Sequence, residues 1–314
     1  MPVKDFVPAY RKAYEKGLLP PLIQKARKML ESCAVCPRNC GVDRTQDEKG
    51  FCQSGYLPEV SSYAPHFGEE SPLVGRRGSG TIFLTHCNLG CLFCQNYSIS
   101  HAGEGRKISI SRFARIMLEL QRLGCHNINF VSPTHFVPQI LESLPQAIEM
   151  GLQIPLVYNT GGYDSLETLR LLDGIFDIYM PDFKYTSGEV SETYSQASDY
   201  PLMAKQAMKE MFRQVGDLQI DEGGIAFRGL LVRHLVLPDG LAGTREAMRF
   251  LATEISTNTY VNIMDQYHPC GNTPLDSPLR RRITAEEYDE AIAAAKEEGI
   301  TRLDKREKLR LVWF

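Results

Sequence analysis

The 314-residue sequence lacks several features that would indicate other classes of protein. It has no run of about 18 apolar residues, so no membrane-spanning helix is predicted. Its net charge is only −3 at pH 7, which gives no basic field for binding nucleic acid or an anionic membrane. The 43% hydrophobic content excludes a disordered or collagen-like chain. Residues 1–10 lack the basic and apolar regions of a signal peptide, so we expect a cytoplasmic protein with neither nucleic acid nor a membrane as partner.

Cysteine is present in an unusual arrangement. Seven of the nine cysteines lie close together, at Cys33, Cys36, Cys40, Cys52, Cys87, Cys91 and Cys94. An odd number in a large chain without an export signal argues against a disulfide framework. Clustered reduced thiols therefore indicate metal binding, at one group of four cysteines and one group of three.

Short apolar runs alternate with helix-period segments from residue 81 onward, which predicts a parallel α/β fold. Strands are expected at 81–85, 127–131, 154–158, 176–180, 230–237 and 260–264. Helices are expected at 110–123, 137–150, 165–174, 199–215, 244–255 and 284–299, before a final apolar LRLVWF. Six strands are fewer than the eight of a full barrel, so we predict a partial (βα)6 TIM-like barrel over 81–314. Residues 1–80 are expected to form an extension, helical up to residue 32 and irregular and cysteine-rich over 33–80.

The group of three, Cys87, Cys91 and Cys94, has the spacing C-x3-C-x2-C directly after the first predicted barrel strand. Parallel α/β folds place their sites at this end of the strands. Three such thiolates can hold a [4Fe–4S] cluster with one iron open to a small ligand, and Gly90 permits a sharp turn between them. A zinc site with His86 as fourth ligand is an alternative, although His86 and Cys87 should point to opposite faces. Thiols without metal are the third interpretation.

This motif, with an aromatic residue before the third cysteine, resembles the radical S-adenosylmethionine (radical SAM) superfamily. The segments GSGTIFLTHCNLGCLFCQNYSIS, NFVSPTHF, YNTGGYDS, DIYMPDFKY and LLVRHLVLPD resemble poorly characterised relatives of pyruvate formate-lyase activating enzymes. The resemblance implies an oxidoreductase whose [4Fe–4S] cluster binds S-adenosylmethionine and is reduced by a flavodoxin- or ferredoxin-type protein. Reductive cleavage of the cofactor would give a 5′-deoxyadenosyl radical for hydrogen abstraction, with a glycyl residue of a partner protein as one target.

Several cofactor-binding residues are implied by the same resemblance. Phe93 would flank the adenine. Thr134 and His135 stand where most relatives have a Gly-Gly-Glu segment for the methionyl amino group, so they are its candidate partners here. His135 could instead donate a proton to the substrate. Asn159 and Gly161 lie in a turn that suits close approach of a ligand.

Later strand ends supply further candidates. Asp182 and Lys184 match a D-x-K pattern that binds the ribose and methionine ends of the cofactor in glycyl-radical activating enzymes, and period-2 spacing puts both on one face. Only one of Arg233 and His234 can face the barrel interior, and alternation does not decide which. If Arg233 is the residue that faces the interior, its guanidinium would pair with the cofactor carboxylate. His268 follows the sixth strand, where activating enzymes carry a histidine near the ribose.

The group of four has the spacing C-x2-C-x3-C-x11-C, at Cys33, Cys36, Cys40 and Cys52. Four thiols suit either a closed zinc site or an iron–sulfur cluster, and the spacing alone does not separate the two metals. The irregular segment around them would be ordered by the bound metal. Thiols without metal are again the alternative.

The sequence therefore predicts a radical SAM enzyme of unknown substrate, and two other classes compete with it. A zinc-dependent barrel hydrolase would use Cys87, Cys91 and Cys94 to hold a metal-bound water. A non-enzymatic iron–sulfur carrier would hold the cluster without binding S-adenosylmethionine and would not need Asp182 and Lys184.

Overall fold

The computed structural model describes residues 6–305, which form an open, mostly parallel sheet covered by helices. The strands are β1 (Glu59–His66), β2 (Ser79–Leu84), β3 (Arg106–Lys107), β4 (Ile128–Val131), β5 (Leu156–Thr160), β6 (Ile178–Pro181), β7 (Gln219–Ile220), β8 (Ala226–Leu235) and β9 (Tyr260–Met264). The helices are α1 (Ala9–Glu15), α2 (Leu19–Glu31), α3 (Ser71–Val74), α4 (Tyr97–Ser100), α5 (Ile110–Arg122), α6 (Val137–Glu149), α7 (Leu166–Leu171), α8 (Gly188–Ser195), α9 (Tyr200–Val215), α10 (Thr244–Phe250) and α11 (Ala285–Glu297). No helix in residues 6–305 is long and apolar enough to cross a bilayer.

The six predicted barrel strands are all present and lie side by side. β2, β4, β5, β6, β8 and β9 pair in this order, and every pairing is parallel. At one edge β2 pairs with the antiparallel β1, and at the other β9 meets Leu303, so the sheet stays open. Every residue of β5 and β6 is buried. One face packs in the main core with the helices, and the other packs against neighbouring strands in a second cluster that includes Val157, Ile178, Met180 and Leu231. The predicted partial (βα)6 TIM-like barrel is confirmed.

The N-terminal helices pack against the barrel. In α1, the Ala9 backbone N–H donates to a carboxylate oxygen of Asp177 at 2.8 Å, and the Tyr10 hydroxyl donates to Ile154 O at 3.0 Å. Tyr10 and Leu30 belong to the same hydrophobic core as the barrel strands. Within the described residues, helices are thus present at Ala9–Glu15 and Leu19–Glu31, and they share their core with the barrel.

The irregular segment predicted over 33–80 contains a strand that the sequence analysis missed. β1 pairs antiparallel with β2, with Ser62 opposite Phe83 and His66 opposite Ser79. Its alternation of buried and exposed residues is weak, and Pro65 within the run argues against a strand unless it lies near a sheet edge.

Other element boundaries differ from the prediction. β8 begins at Ala226 and not at 230, because Gly229 allows a backbone φ of 120° inside the strand. α8 was not predicted, and the helix expected at 244–255 becomes α10 followed by a π-helical turn at Leu251–Ile255. The predicted apolar segment LRLVWF lies outside the described residues.

Candidate functional site

The loop after β2 carries the three-cysteine motif to the carboxyl ends of the parallel strands. Cys87, Cys91 and Cys94 together line one cavity of about 220 Å³, which opens to solvent. Gly90 lies between the first two with a φ of 69°, and a Cβ there would approach the Phe51 ring to 3.0 Å. The turn therefore requires glycine for both its backbone conformation and the close contact.

Each thiol of the motif accepts a hydrogen bond. The donors are Ser195 Oγ to Cys91 Sγ at 3.1 Å, Ser100 Oγ to Cys94 Sγ at 3.1 Å, and Leu89 N to Cys87 Sγ at 3.4 Å. Hydrogen bonds to sulfur stabilise the negative charge of cysteines that hold an iron–sulfur cluster. The three thiols thus line the same cavity, and each sulfur accepts one hydrogen bond from the protein.

Burial opposes ionisation of these thiols. It raises the pKa of Cys87 to about 11, and the nearby Cys91 adds to the increase. Burial also raises the pKa of Cys91, although the charge of Lys184 and the Ser195 hydrogen bond oppose this. The thiols of Cys87 and Cys91 are therefore protonated in the absence of metal, and an iron–sulfur cluster that binds here must displace their protons, as metals do when they bind cysteine.

The arrangement fits a cluster better than a single ion. Within residues 6–305, no group of three or more His, Cys, Asp or Glu side chains is arranged to hold one metal ion. A [4Fe–4S] cluster does not need such convergence, because each cysteine binds a different iron atom.

A charged network at the ends of β6 and β8 forms another wall of the cavity. Lys184 Nζ lies 2.6 Å from Asp182 Oδ2, and Arg233 Nε lies 2.7 Å from Asp182 Oδ1. Arg233 Nη2 also donates to Asn159 Oδ1 at 2.6 Å, and its Nη1 lies 3.8 Å from Glu69 Oε2. Lys184 and Arg233 thus face the carboxylates of Asp182 and Glu69. Lys184 Nζ has N–H donors beyond its bond to Asp182, so this wall can still bind a ligand that carries a carboxylate.

Asp182, Lys184 and Arg233, the three charged groups of this network that line the cavity, remain ionised. Burial alone would raise the pKa of Asp182, but Arg233 and Lys184 outweigh it and hold that pKa below its ordinary value. Burial would lower the pKa of Lys184, but Asp182 outweighs it and raises that pKa. The network is therefore charged throughout the neutral pH range.

The structure also decides between Arg233 and His234. Arg233 lines the cavity, whereas the buried His234 binds Phe183 O through Nδ1 at 2.7 Å and Thr244 Oγ1 through Nε2 at 2.9 Å. Burial lowers the pKa of His234 to about 4, so this histidine is neutral.

Phe93 lines the cavity but is only 4% exposed. The rings of Tyr185, Tyr194 and Tyr267 meet it edge to face, with centroids 5.8 to 6.3 Å away. Its carbonyl oxygen accepts a hydrogen bond from Cys270 Sγ at 3.1 Å. These contacts fix the backbone of Phe93 beside the cavity.

Three of the predicted cofactor-binding residues lie elsewhere. Ser132 has a φ of 56°, and the following turn buries Thr134 behind the cavity-lining Thr160, 3.1 Å from its hydroxyl, where Thr134 donates to Asp164 Oδ1 at 2.7 Å. His135 lines a separate cavity beside the four N-terminal cysteines. His268 Nδ1 lies 3.3 Å from Gln266 O, and it is Gln266 that lines the main cavity. The structure therefore gathers the three cysteines, Phe93, Asn159, Gly161, Asp182, Lys184 and Arg233, but not Thr134, His135 or His268.

Sequence reasoning missed the residues that support the site. Asp164 is buried and accepts hydrogen bonds from the hydroxyls of Thr134, Tyr158 and Thr160, which fixes Thr160 at the cavity wall. Ser195 reaches the motif from α8. Asp164 lies in the quoted segment YNTGGYDS and contacts Tyr158 and Thr160 nearby in the sequence, so it could have been singled out there. Ser195 had no such signal, because it lies 104 positions from Cys91.

Comparison with known proteins agrees with this geometry. Residues 81–196 match the sequence family described as the radical SAM superfamily. The chain is also 30% identical, over 291 residues, to the Uncharacterized protein MJ0674 of Methanocaldococcus jannaschii, covering 89% of this chain and 79% of that protein. The chain belongs to the radical SAM superfamily. Its cofactors are accordingly a [4Fe–4S] cluster and S-adenosylmethionine.

A solved structure is similar to this radical SAM protein in part. It is HydG, a maturase of the [FeFe]-hydrogenase, with a TM-score of 0.48 and 12% sequence identity. The match covers 71% of this chain and 49% of the HydG chain, so this protein spans about half of HydG.

Proposed function

We propose that this radical SAM protein cleaves S-adenosylmethionine reductively and uses the product radical to abstract hydrogen from a substrate. The observation that supports it is that Cys87, Cys91 and Cys94 share one cavity with the pair Asp182–Lys184. Cys87, Cys91 and Cys94 would hold the cluster, which when bound would supply the electron for cleavage of the cofactor's C5′–sulfur bond to methionine and a 5′-deoxyadenosyl radical, the species that would abstract hydrogen from the substrate.

The residues of the cavity have separate tasks in this proposal. The three cysteines hold the cluster, and hydrogen bonds from Ser100 and Ser195 stabilise their charge. Lys184 has three N–H donors, so it can bind the methionyl carboxylate while it stays paired with Asp182.

Arg233 and Asn159 orient the acidic side of the site. Arg233 forms a salt bridge with Asp182 and a hydrogen bond with Asn159, so the carboxylate cannot rotate freely. Asp182 thereby presents a fixed acceptor edge that suits the ribose hydroxyls. The low exposure of these side chains excludes most water from the reacting groups.

The substrate we propose is a glycyl residue of a partner protein, and the electron donor is a flavodoxin- or ferredoxin-type protein. The D-x-K pattern at Asp182 and Lys184 supports this choice, because it resembles the pattern of glycyl-radical activating enzymes. Reduced cysteines and an iron–sulfur cluster fit a reducing compartment such as the cytoplasm.

The reaction is tested on anaerobically reconstituted protein reduced with dithionite, by assaying 5′-deoxyadenosine formed from S-adenosylmethionine. We expect activity in the wild type and in Cys125→Ala, a buried cysteine outside both groups, and none in Cys91→Ala. Zinc without cleavage would support the hydrolase instead. Iron without cofactor binding would support the carrier.

The glycyl substrate is tested by isotope transfer. Protein and small-molecule fractions from cells grown on [2-²H]glycine are each supplied to the reduced enzyme, and deuterium in 5′-deoxyadenosine is measured. We expect deuterium transfer from the protein fraction. Formation of 5′-deoxyadenosine without deuterium in the presence of that fraction would contradict a glycyl target while leaving the radical chemistry intact.

A further inference from the structure

The four N-terminal cysteines lie around a second, smaller cavity, here called the N-terminal cysteine pocket. Its lining includes Cys33, Cys36, Cys40 and Cys52, and its volume is only about 10 Å³, so the thiols are closely packed. Backbone hydrogen bonds from Cys33 N to Val42 O and from Gly41 N to Cys33 O close the loop, at 2.9 and 3.1 Å. All four thiols are free, and three of them are buried. The loop therefore holds four cysteines around one space without a disulfide.

A buried histidine lines the same pocket and points independently to a metal. His135 is 1% exposed, and its Nε2 lies 2.9 Å from the carbonyl oxygen of Thr85. A carbonyl only accepts, so Nε2 carries the hydrogen and the neutral ring has its lone pair on Nδ1. This Nδ1 is buried and has no hydrogen-bond partner among the described residues. Histidines at metal sites commonly donate their other N–H to a backbone carbonyl in this way.

A buried arginine lines the pocket as well. Arg44 is 1% exposed, and it donates to Gly55 O at 2.9 and 3.2 Å and to His135 O at 2.7 Å. These partners are carbonyl oxygens and carry no full negative charge. A centre with four thiolates is anionic, so a metal bound in the pocket would place a counter-charge beside this cation.

The pocket is joined directly to the loop of the radical SAM cluster. Arg38 lies between the second and third cysteines of the pocket, and its guanidinium donates to Asn88 O and Leu89 O, each at 3.0 Å. It also donates to the backbone oxygen of Ser195 at 2.8 Å. The hydroxyl of this same serine donates a hydrogen bond to Cys91 Sγ. The ring of Phe51 covers the guanidinium at 3.7 Å.

We propose that the N-terminal cysteine pocket binds a second metal centre, with His135 as an additional contact, and that this centre positions Arg38 against the cluster loop. The ligand is a thiophilic metal, either a zinc ion or an iron–sulfur cluster, since four thiolates bind both. Among residues 6–305 no side chains are already converged on a single ion, so zinc would have to draw the four thiols together on binding. Metal binding in the pocket does not depend on the proposed reaction. The positioning role depends only on the cluster at Cys87, Cys91 and Cys94.

Metal binding is tested in the full chain with the first cluster removed, as the variant Cys87→Ser/Cys91→Ser/Cys94→Ser. This protein is reconstituted separately with zinc and with iron plus sulfide. We expect either about one zinc or about four irons with equal sulfide per chain. The metal should be lost on adding Cys36→Ser and Cys52→Ser and retained on adding Cys125→Ser.

The result that overturns the proposal is a folded triple variant, verified by circular dichroism, that takes up neither metal. If the triple variant does not fold, wild type and Cys36→Ser are compared instead. Equal total metal in these two proteins would then overturn it. His135→Ala should weaken metal binding by about 10- to 100-fold in competition with a chelator, as the loss of a metal-site partner does. An unchanged affinity would remove His135 from the site.

The positioning of the cluster loop is tested with Arg38→Ala, which leaves every cysteine in place. We expect a chelator to extract iron from the first cluster several-fold faster than from wild type. Arg27→Ala is the matched control, since this arginine lies in α2 and pairs with Glu142 at the surface. Equal extraction rates for Arg38→Ala and wild type would contradict the positioning role, whether or not the enzyme cleaves its cofactor.

Discussion

At the scale of single residues, we expect the hydroxyl of Ser195 to influence the reduction potential of the cluster. Its hydroxyl donates to Cys91 Sγ at 3.1 Å, and a hydrogen bond to sulfur stabilises the reduced, more negative cluster. We expect Ser195→Ala to lower the reduction potential by tens of millivolts, because about 1 kcal/mol corresponds to about 40 mV for one electron. An EPR-monitored redox titration measures this.

Ser191→Ala is the control for that titration. Ser191 is also buried in α8, but its hydroxyl donates to Gly188 O and not to a cysteine. A potential that shifts equally in both variants would mean that the Ser195 hydroxyl does not act on the cluster.

Lys184 is the residue that we expect to contribute a charged hydrogen bond to the binding of S-adenosylmethionine. A hydrogen bond between charged groups contributes about 1.5–3 kcal/mol, so Lys184→Met should raise the dissociation constant of the cofactor by about tenfold or more. Equilibrium binding of labelled cofactor to reconstituted protein measures this, with iron content checked in parallel. Lys209→Met is the control, because Lys209 is a half-exposed lysine paired with Glu254. Equal affinity in wild type and Lys184→Met would remove Lys184 from the cofactor site.

The sequence predicts residues of the site well where the pattern is local. Cys87, Cys91 and Cys94 lie within eight residues, so their spacing alone brings them to one cavity wall. Thr134 was expected at the cofactor, but the structure places it on Asp164, which is thirty residues away. Ser195 is separated from Cys91 by 104 positions. Contacts of this kind depend on how helices pack, and no local spacing encodes them.

At the scale of elements, one of the contacts that attach α1 to the barrel is made by a buried carboxyl group. Asp177 accepts hydrogen bonds from the backbone N–H groups of Ala9 and Leu156, yet burial raises its pKa to about 7. Between about pH 4 and pH 7 the folded protein thus holds a proton that the unfolded chain has lost. The contribution of Asp177 to the free energy of unfolding should therefore fall as pH rises through this window.

Urea unfolding of wild type and Asp177→Asn at several pH values measures that contribution. The difference in unfolding free energy between the two proteins should decrease from pH 5 to pH 7 and level off above it. Using the difference removes the pH dependence that the two proteins share, including that of their metal centres. A difference that is constant with pH, or that grows, would show that Asp177 is already ionised in the folded state.

The elements themselves differ in how well the sequence predicts them. The six parallel strands were found because each is a short apolar run followed or preceded by a helix-period segment. β1 was missed because an edge-side antiparallel strand needs few apolar residues, and its pairing with β2 is made by backbone groups. Because backbone pairing depends little on side-chain type, such a strand produces only a weak hydrophobic pattern in the sequence.

At the scale of the whole molecule, the N-terminal segment is tied to the barrel at several places. Tyr10, Leu19 and Leu30 belong to the barrel core, β1 extends the sheet, and Arg38 binds the cluster loop. The sequence suggested a boundary near residue 80 because the alternation of short apolar runs and helix-period segments begins at residue 81. That periodicity does not show which surfaces of the preceding segment pack against the barrel.

We therefore expect residues 6–305 to unfold as one cooperative unit and not as an extension followed by a barrel. Pulse proteolysis with trypsin in increasing urea can follow cleavage in α2, for example at Lys25, and in α9, for example at Lys209. Both cleavages should share one urea midpoint, because α2 cannot leave without exposing the core residues Ala26 and Leu30. Cleavage in α2 at clearly lower urea, while α9 stays protected and the cluster stays bound, would show that the N-terminal segment folds separately.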